Sequence, residues 1–315
     1  MKRIIMAMCL VLLFAAAAAA QDTKVVSITQ IVEHPSLDAM REGFKDRLTE
    51  LGIKAEFKEH IAQGNPATSV QIANQIMGEQ PDLILAITTP SAQHVVQKIK
   101  DRPIVFTGVT DPVGAGIVAH LDKPGANVTG MTDMSPMHKH LELVREFVPD
   151  MKSLGVIYNA GEPNSVTLIN LLKQFAEKEG IAVEEATIAN SSGVYQAAKS
   201  LVGRADAIYI PLDNTVISAL ESAIKVCRQN QLPLFTGDTD SVERGSVAAL
   251  AIDYRQMGIQ TADIAARILK EGTDPATMPV ETIKKLQLYV NVKAAESMGL
   301  DVPASALERA DKVIK

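Results

Sequence analysis

Past residue 20 the chain alternates short apolar, β-branched runs with longer stretches in which apolar residues recur every three or four positions. Residues 25–29 form a strand candidate. Across residues 36–51, Leu37, Met40, Phe44, Leu48 and Leu51 share one helical face, and Gly52 stops the pattern. Residues 83–87 are apolar throughout, as a strand covered on both sheet faces should be. A helical stretch at 91–99 and a short strand at 104–107 follow. Strand, helix and strand in repeated order predict a parallel sheet with right-handed crossovers.

The pattern then begins again: strand at 154–158, helix at 165–179 ended by Gly180, strand at 207–210, helix at 216–229, strand at 234–236. The halves can be laid on each other. Leu51-Gly52-Ile53 matches Glu179-Gly180-Ile181, and Pro81-Asp82-Leu83 matches Ala205-Asp206-Ala207. Phe106-Thr107-Gly108-Val109-Thr110-Asp111 matches Phe235-Thr236-Gly237-Asp238-Thr239-Asp240, and the matched positions are 124 to 129 residues apart. That spacing is one small α/β unit, not a solenoid repeat. Residues 124–130 are turn-rich and suit a strand crossing between units. A helical pattern at 257–269 has no counterpart in the repeat and suits a return to the first unit. The expected fold is α/β: two similar doubly wound parallel-sheet lobes with a ligand cleft between them. Lobe one takes residues 21–132 plus about 252–278. Lobe two takes residues 133–251 plus about 279–315.

Composition narrows the setting. Met1-Lys2-Arg3, an apolar run at 4–14 and alanines at 15–20 have the layout of a secretory signal peptide cleaved after Ala20. The expected location is therefore the periplasm or the medium. Cys9 lies in that segment, which leaves Cys227 alone in the mature chain, within an apolar helical pattern that makes it buried and inert. A net charge of −6 gives no basic surface for nucleic acid.

In parallel sheets, ligands collect beyond the carboxyl ends of the strands. Those ends supply Thr29, Gln30, Glu33, His34, Thr88, Thr89, Ser91, Thr110 and Asp111 in lobe one. In lobe two they supply Tyr158, Asn159, Glu162, Asn164, Ser165, Asp213, Asn214 and Asp238. Thr89-Pro90-Ser91 opens a helix whose free N–H groups suit a carboxylate. Asp213 and Asp238 suit a cation. Donors on one side and carboxylates on the other fit a zwitterion such as an amino acid. Residues of these types also cap helices, so capping competes with binding at each position. Tyr158 and Phe106 are either stacking surfaces or core.

The residues 26–35 (Val26 through His34-Pro35), Gln63-Gly64-Asn65-Pro66, the run 105–115, Asn127-Val128-Thr129-Gly130, Tyr158-Asn159-Ala160-Gly161-Glu162 and the tail from Asn291 to Asp311 carry a family resemblance. Together they resemble the substrate-binding components of ATP-driven importers of the tryptophan-binding-protein type. The resemblance spans nearly all of the mature chain. It implies a type I periplasmic-binding fold with three chain crossings, no catalysis, no cofactor and no metal. It also implies an apolar or aromatic amino acid as ligand, a membrane permease as partner and a monomer as the working form. Carried over by position, the ligand contacts are Thr89, Thr110, Asn159, Glu162, Asn164, Ser165, Asp213 and Asp238.

Rival readings find less support. Gly114-Ala115-Gly116-Ile117-Val118-Ala119 fits a dinucleotide-binding pattern formally, but Asp111-Pro112 separate it from the strand and Pro124 cuts the helix short. His138 and His140, two apart, diverge on a helix and make a poor metal pair. Glu33-His34 has no nucleophile beside it. A two-lobed transcription regulator would carry a DNA-binding module where the export signal stands. A sensor handing its liganded form to a membrane receptor remains open.

Overall fold

The computed structural model describes residues 23–315, so the expected signal peptide and its cleavage site lie outside the described residues. The first half builds β1 (Lys24–Gln30), α1 (Pro35–Glu50), β2 (Ala55–Ile61), α2 (Pro66–Glu79), β3 (Leu83–Ile87), α3 (Thr89–Lys98), β4 (Ile104–Val109) and β5 (Val128–Thr132). The second builds α4 (Met137–Phe147), β6 (Ser153–Asn159), α5 (Pro163–Lys178), β7 (Ala182–Ile188), α6 (Val194–Leu201), β8 (Ala207–Ile210), α7 (Asn214–Ile217), α8 (Leu220–Gln229), β9 (Leu234–Thr236), α9 (Asp240–Arg244) and β10 (Ala248–Ala251). The chain closes with α10 (Tyr254–Glu271), β11 (Glu281–Thr282), β12 (Gln287–Asn291), α11 (Val292–Ser297), α12 (Ala304–Arg309) and β13 (Lys312–Ile314).

Among the described residues one parallel sheet runs β11-β5-β4-β3-β1-β2, and a second runs β7-β6-β8-β9. The Val247 N–H donates to the Leu234 carbonyl and brings β10 alongside β9. There β10 pairs antiparallel with β12, and β12 parallel with β13.

The internal repeat has a physical basis. Gly52 and Gly180 both turn left-handed, at φ 71° and 68°, just beyond a helix. The following N–H, of Ile53 or Ile181, then reaches back to Leu48 or Ala176. Asp82 accepts from the Val25 N–H, and Asp206 from the Lys152 and Ser153 N–H groups. Each aspartate thus ties two neighbouring strands of its own sheet.

Each sheet has its own core, and the lobes exchange helices. Leu141, Val144 and Phe147 of α4 join the second core; Tyr254, Met257, Ile264 and Ala265 of α10 join the first. α10 returns because α1 accepts it backbone to backbone. A Cβ at Gly258 would lie 2.0 Å from the Met40 carbonyl oxygen, and one at Gly43 2.5 Å from that of Arg255. The last crossing falls later than the expected residue 279. Val280, Ile283 and Leu286 still pack on the first core, and β11 pairs with β5. The helix expected at 216–229 is also broken, into α7 and α8. Side chains of the second lobe hold the short α7 by its start, as described next.

Candidate ligand-binding site

The carboxyl ends of the two sheets face each other across a small cavity. From lobe one come His34, Ser36, Leu37, Thr88, Gly108 and Thr110; from lobe two Asn164, Leu212, Asp213, Asn214, Ile217 and Asp238. Asp133, just after β5, and Tyr254, at the start of α10, close the cavity beside the crossings. The lobes touch directly here: Ser36 Oγ donates to Asp238 Oδ1 at 3.1 Å.

Lobe one contributes donors. β3 is apolar and buried along its length, and its last residues deliver the chain to α3 through Thr88, held at φ 83°. That conformation is costly for a β-branched residue and is common at functional sites. The hydroxyls of Thr88, Thr89 and Ser91 are buried and have no hydrogen-bond partner among the described residues. They surround the first turn of a ten-residue helix, whose leading N–H groups have no carbonyl behind them. Three unpaired hydroxyls at one helix start make a seat for an anion.

Lobe two is saturated at the matching place. Glu162 accepts from the N–H groups of Asn214 (3.1 Å) and Thr215 (2.9 Å), from the Thr215 hydroxyl (2.6 Å) and from the side-chain amides of Asn164 and Asn214. Asp213 accepts from the Val216 N–H at 2.8 Å, capping α7, and from the Asn159 N–H and Ser165 Oγ at 2.7 and 2.6 Å. Burial, then the nearby Glu162 charge, push the Asp213 carboxyl above the ordinary aspartate range. One acceptor stays unpaired in this lobe, and a second carboxylate faces the cavity. Asn164 gives its amide nitrogen to Glu162 and to the Leu212 carbonyl, which leaves its buried Oδ1 without a partner among the described residues. Asp238 accepts from Ser241 N and Oγ and from Ser36.

Three further titratable groups on the cavity wall are shifted. Burial drives His34 down to about 4, against the pull of Asp238, so its imidazole is neutral. Burial raises Asp133 to about 6, although Thr110 Oγ1 donates to it at 3.0 Å. Burial also raises the Tyr254 phenol, whose hydroxyl lacks a partner among the described residues.

Of the expected contacts, His34, Thr88, Thr110, Asn164, Asp213, Asn214 and Asp238 line the cavity. Thr89 and Ser91 follow Thr88 at the start of α3 and do not themselves line the cavity. Others are drawn elsewhere. The Gln30 amide is used up on α1, donating to the Val32 carbonyl and Asp38 and accepting from Arg41. Asp111 accepts from the Gly114 N–H and shapes its own loop. Tyr158 donates to Glu185 at 2.7 Å along the β6–β7 edge, and Phe106 is core, so neither ring stacks in the cavity. Thr29 is buried on β1 with an unpaired hydroxyl but does not line the cavity. Asn159 braces Gly161 and Thr215 at a wider opening between the lobes, which Pro90, Gln93 and His94 face. Ser165 braces Asp213. Leu37, Leu212, Ile217, Asp133 and Tyr254 were missed. For the last two, the sequence signal was their position directly after a predicted crossing.

Comparison with known proteins shows the family. The family model of ABC transporter substrate binding proteins matches residues 25–314. A tyrosine-binding protein of Clostridioides difficile is 38% identical over 283 residues, 88% of this chain and 81% of that protein. Among solved structures, a conserved domain protein from Vibrio cholerae superposes with a TM-score of 0.91 at 47% identity, covering 93% of this chain and all of that one. An ABC domain from Streptococcus pneumonia in complex with L-Trp gives 0.89 at 31% identity, with the same coverage. A substrate binding protein with adhesive properties from Clostridium difficile, in its ligand-free, open structure, gives 0.69 at 38% identity, again with the same coverage.

Proposed function

The chain belongs to the ABC transporter substrate binding protein family, and on that premise we propose that it captures an aromatic amino acid between its lobes and presents it to a membrane permease for ATP-driven import. It works outside the cytoplasm, after removal of residues 1–20. One observation carries the ligand class: unpaired hydroxyls surround the α3 start, and the unpaired Asn164 Oδ1 stands across the cleft. The ligand's carboxylate sits on Thr88, Thr89 and Ser91. Its ammonium meets Asn164 Oδ1 and Asp238. Its side chain lies among Leu37, Leu212, Ile217 and Tyr254. Relatives named for tyrosine and solved with L-Trp support the aromatic preference.

Closure of the lobes is part of the reading. The chain is more identical to the open, ligand-free relative than to the L-Trp complex, yet superposes far better on the complex. Similar lobes set at a different angle account for that reversal.

The test is calorimetry on protein unfolded and refolded to strip carried-over ligand, titrated with tryptophan, tyrosine, phenylalanine, leucine, glutamate and glucose. Aromatic amino acids should bind, with a fall in radius of gyration by solution scattering. Because the chain contains no tryptophan, a blue shift of added tryptophan's fluorescence reports its burial. Binding of glucose or glutamate with none of the apolar amino acids rejects this ligand class.

A further inference from the structure

We propose that a second cavity, walled by the three chain crossings, binds a small oxyanion, and that this ion holds the lobes closed on the ligand. The second half rests on the closure reading above; the first does not. The cavity measures about 270 Å³ and shares Asp133 and Tyr254 with the ligand cavity. Each crossing gives it a wall: Ser135 and Pro136 of the first, Leu250 and Ile252 of the second, Ile283 and Leu286 of the third.

Its polar groups are mostly donors. Lys139 and Lys284 line it, and neither ammonium has an ion-pair partner among the described residues. The eleven-residue α4 starts at its wall. Pro136 occupies the cap position, no side chain caps the helix, and the Lys139 and His140 N–H groups both turn back to the Pro136 carbonyl. An uncapped helix start leaves N–H groups without acceptors and favours an anion. A buried side chain adds to it. His140 lines the cavity at 2% exposure, its Nδ1 lies 2.7 Å from the Tyr209 hydroxyl, and its Nε2 has no partner among the described residues. The Tyr209 hydroxyl has no other acceptor among the described residues, so the pair is satisfied with the imidazole proton on Nε2. The Tyr254 hydroxyl, buried and unpartnered, is a further donor. Asp133 is the one acidic residue on the wall, and its carboxylate is turned to the ligand cavity. Oδ1 accepts from Thr110 at 3.0 Å, and Oδ2 lies 3.9 Å from where a Cβ on Gly108 would stand. Thr110 and Gly108 line the ligand cavity and not this one. Because all three crossings wall the cavity, an ion bridging them binds one hinge angle better than another, and so shifts the equilibrium between open and closed lobes.

The experiment uses refolded, ligand-free mature protein in chloride buffer at fixed ionic strength, with inorganic phosphate and sulfate as probes. Calorimetry should show saturable phosphate or sulfate binding with a Kd of about 1 mM or below. Lys139→Met and Lys284→Met change exposed side chains outside the ligand cavity, and each should weaken that binding about tenfold. Saturating anion should tighten L-tryptophan binding, read from the ligand's own fluorescence, by about fivefold, and should by itself reduce the radius of gyration. The double variant should match the wild type in chloride and lose the gain from the anion. Absence of saturable binding by both anions overturns the site. Binding that survives unchanged in the double variant places the ion elsewhere and overturns it as well. A bound anion with unchanged tryptophan affinity and radius of gyration overturns the hold on the hinge. Saturable anion binding that the double variant loses, beside no response to any amino acid, supports the anion site and rejects the amino-acid reading instead.

Discussion

The junctions β3–α3 and β8–α7 come from the same repeat and treat a helix start in opposite ways. In lobe two, Asp213 caps α7 and Glu162 covers the N–H groups of Asn214 and Thr215. In lobe one, Thr88, Thr89 and Ser91 stand at the same place with unpaired hydroxyls. A helix start attracts an anion. Lobe two supplies one from its own chain; lobe one leaves the position open. The next strand repeats the lesson, since Val109 is fully buried where lobe two has Asp238 on the cavity wall. The repeat makes the scaffold, and the departures from it make the site.

The largest expected effect lies on the saturated side. Glu162→Ala strands two backbone N–H groups, the Thr215 hydroxyl and two amide nitrogens. Unpaired buried groups cost about 1–3 kcal/mol each before relaxation, so empty protein should lose about 3 kcal/mol or more in urea unfolding. Glu162→Gln, which keeps one acceptor oxygen, should fall between. A loss under about 1 kcal/mol would mean that water replaces the carboxylate and that the contrast between the junctions is superficial.

The open side should answer the other way. Thr89→Val and Ser91→Ala each remove a hydroxyl that pairs with nothing in the described chain. Empty protein should unfold no earlier than the wild type, and up to about 1 kcal/mol later. Affinity for the amino acid should fall by about 10- to 30-fold per hydroxyl, because a hydrogen bond to a charged group is lost. Early melting with unchanged affinity would turn these residues into structural ones.

How much was legible follows the same division. β1, β3, β4, β6 and β8 were readable because they are mostly buried on both sheet faces and therefore largely apolar. β2 and β7 escaped: Ala55–Ile61 and Ala182–Ile188 lie at sheet edges, mostly half-exposed, and carry charges that blur the alternation. The strand-end loops were identified from topology alone, which found most of the cavity wall. Roles inside the loops were less legible. Thr88 and Asp213 look alike as polar strand-end residues, and only the fold reveals that Glu162, fifty residues away in sequence, fills one junction and not the other. Tyr158 and Gln30 were misplaced for a related reason. A strand-end side chain can turn toward its own lobe, and its partners, Glu185 and α1, come from other parts of the pattern. Asp133 and Tyr254 sit where a crossing strand ends, a place that the strand–helix repeat does not mark.

The smallest effect is in pH, where two groups on the cavity wall act against each other. His34 titrates near 4 in the folded protein against an ordinary 6.5, because it is buried. The unfolded chain takes that proton first, so His34 lowers stability progressively as pH falls from about 6.5 to 4. Asp133 titrates near 6 against 3.8, also through burial. The folded protein holds that proton longer, so Asp133 lowers stability as pH rises from about 4 to 6. Across that window the two slopes largely offset. His140, near 4, and Asp240, near 6, repeat the opposition in lobe two, so only differences between variants isolate one arm. Asp133→Asn keeps an acceptor for Thr110 and removes one slope. Relative to the wild type, it should lose about 2 kcal/mol as pH falls from 6 to 4. His34→Leu should gain a similar amount over 6.5 to 4. Parallel stability profiles for all three proteins would mean that neither group is shut away from water in the empty protein, and that the cleft opens when no ligand holds it.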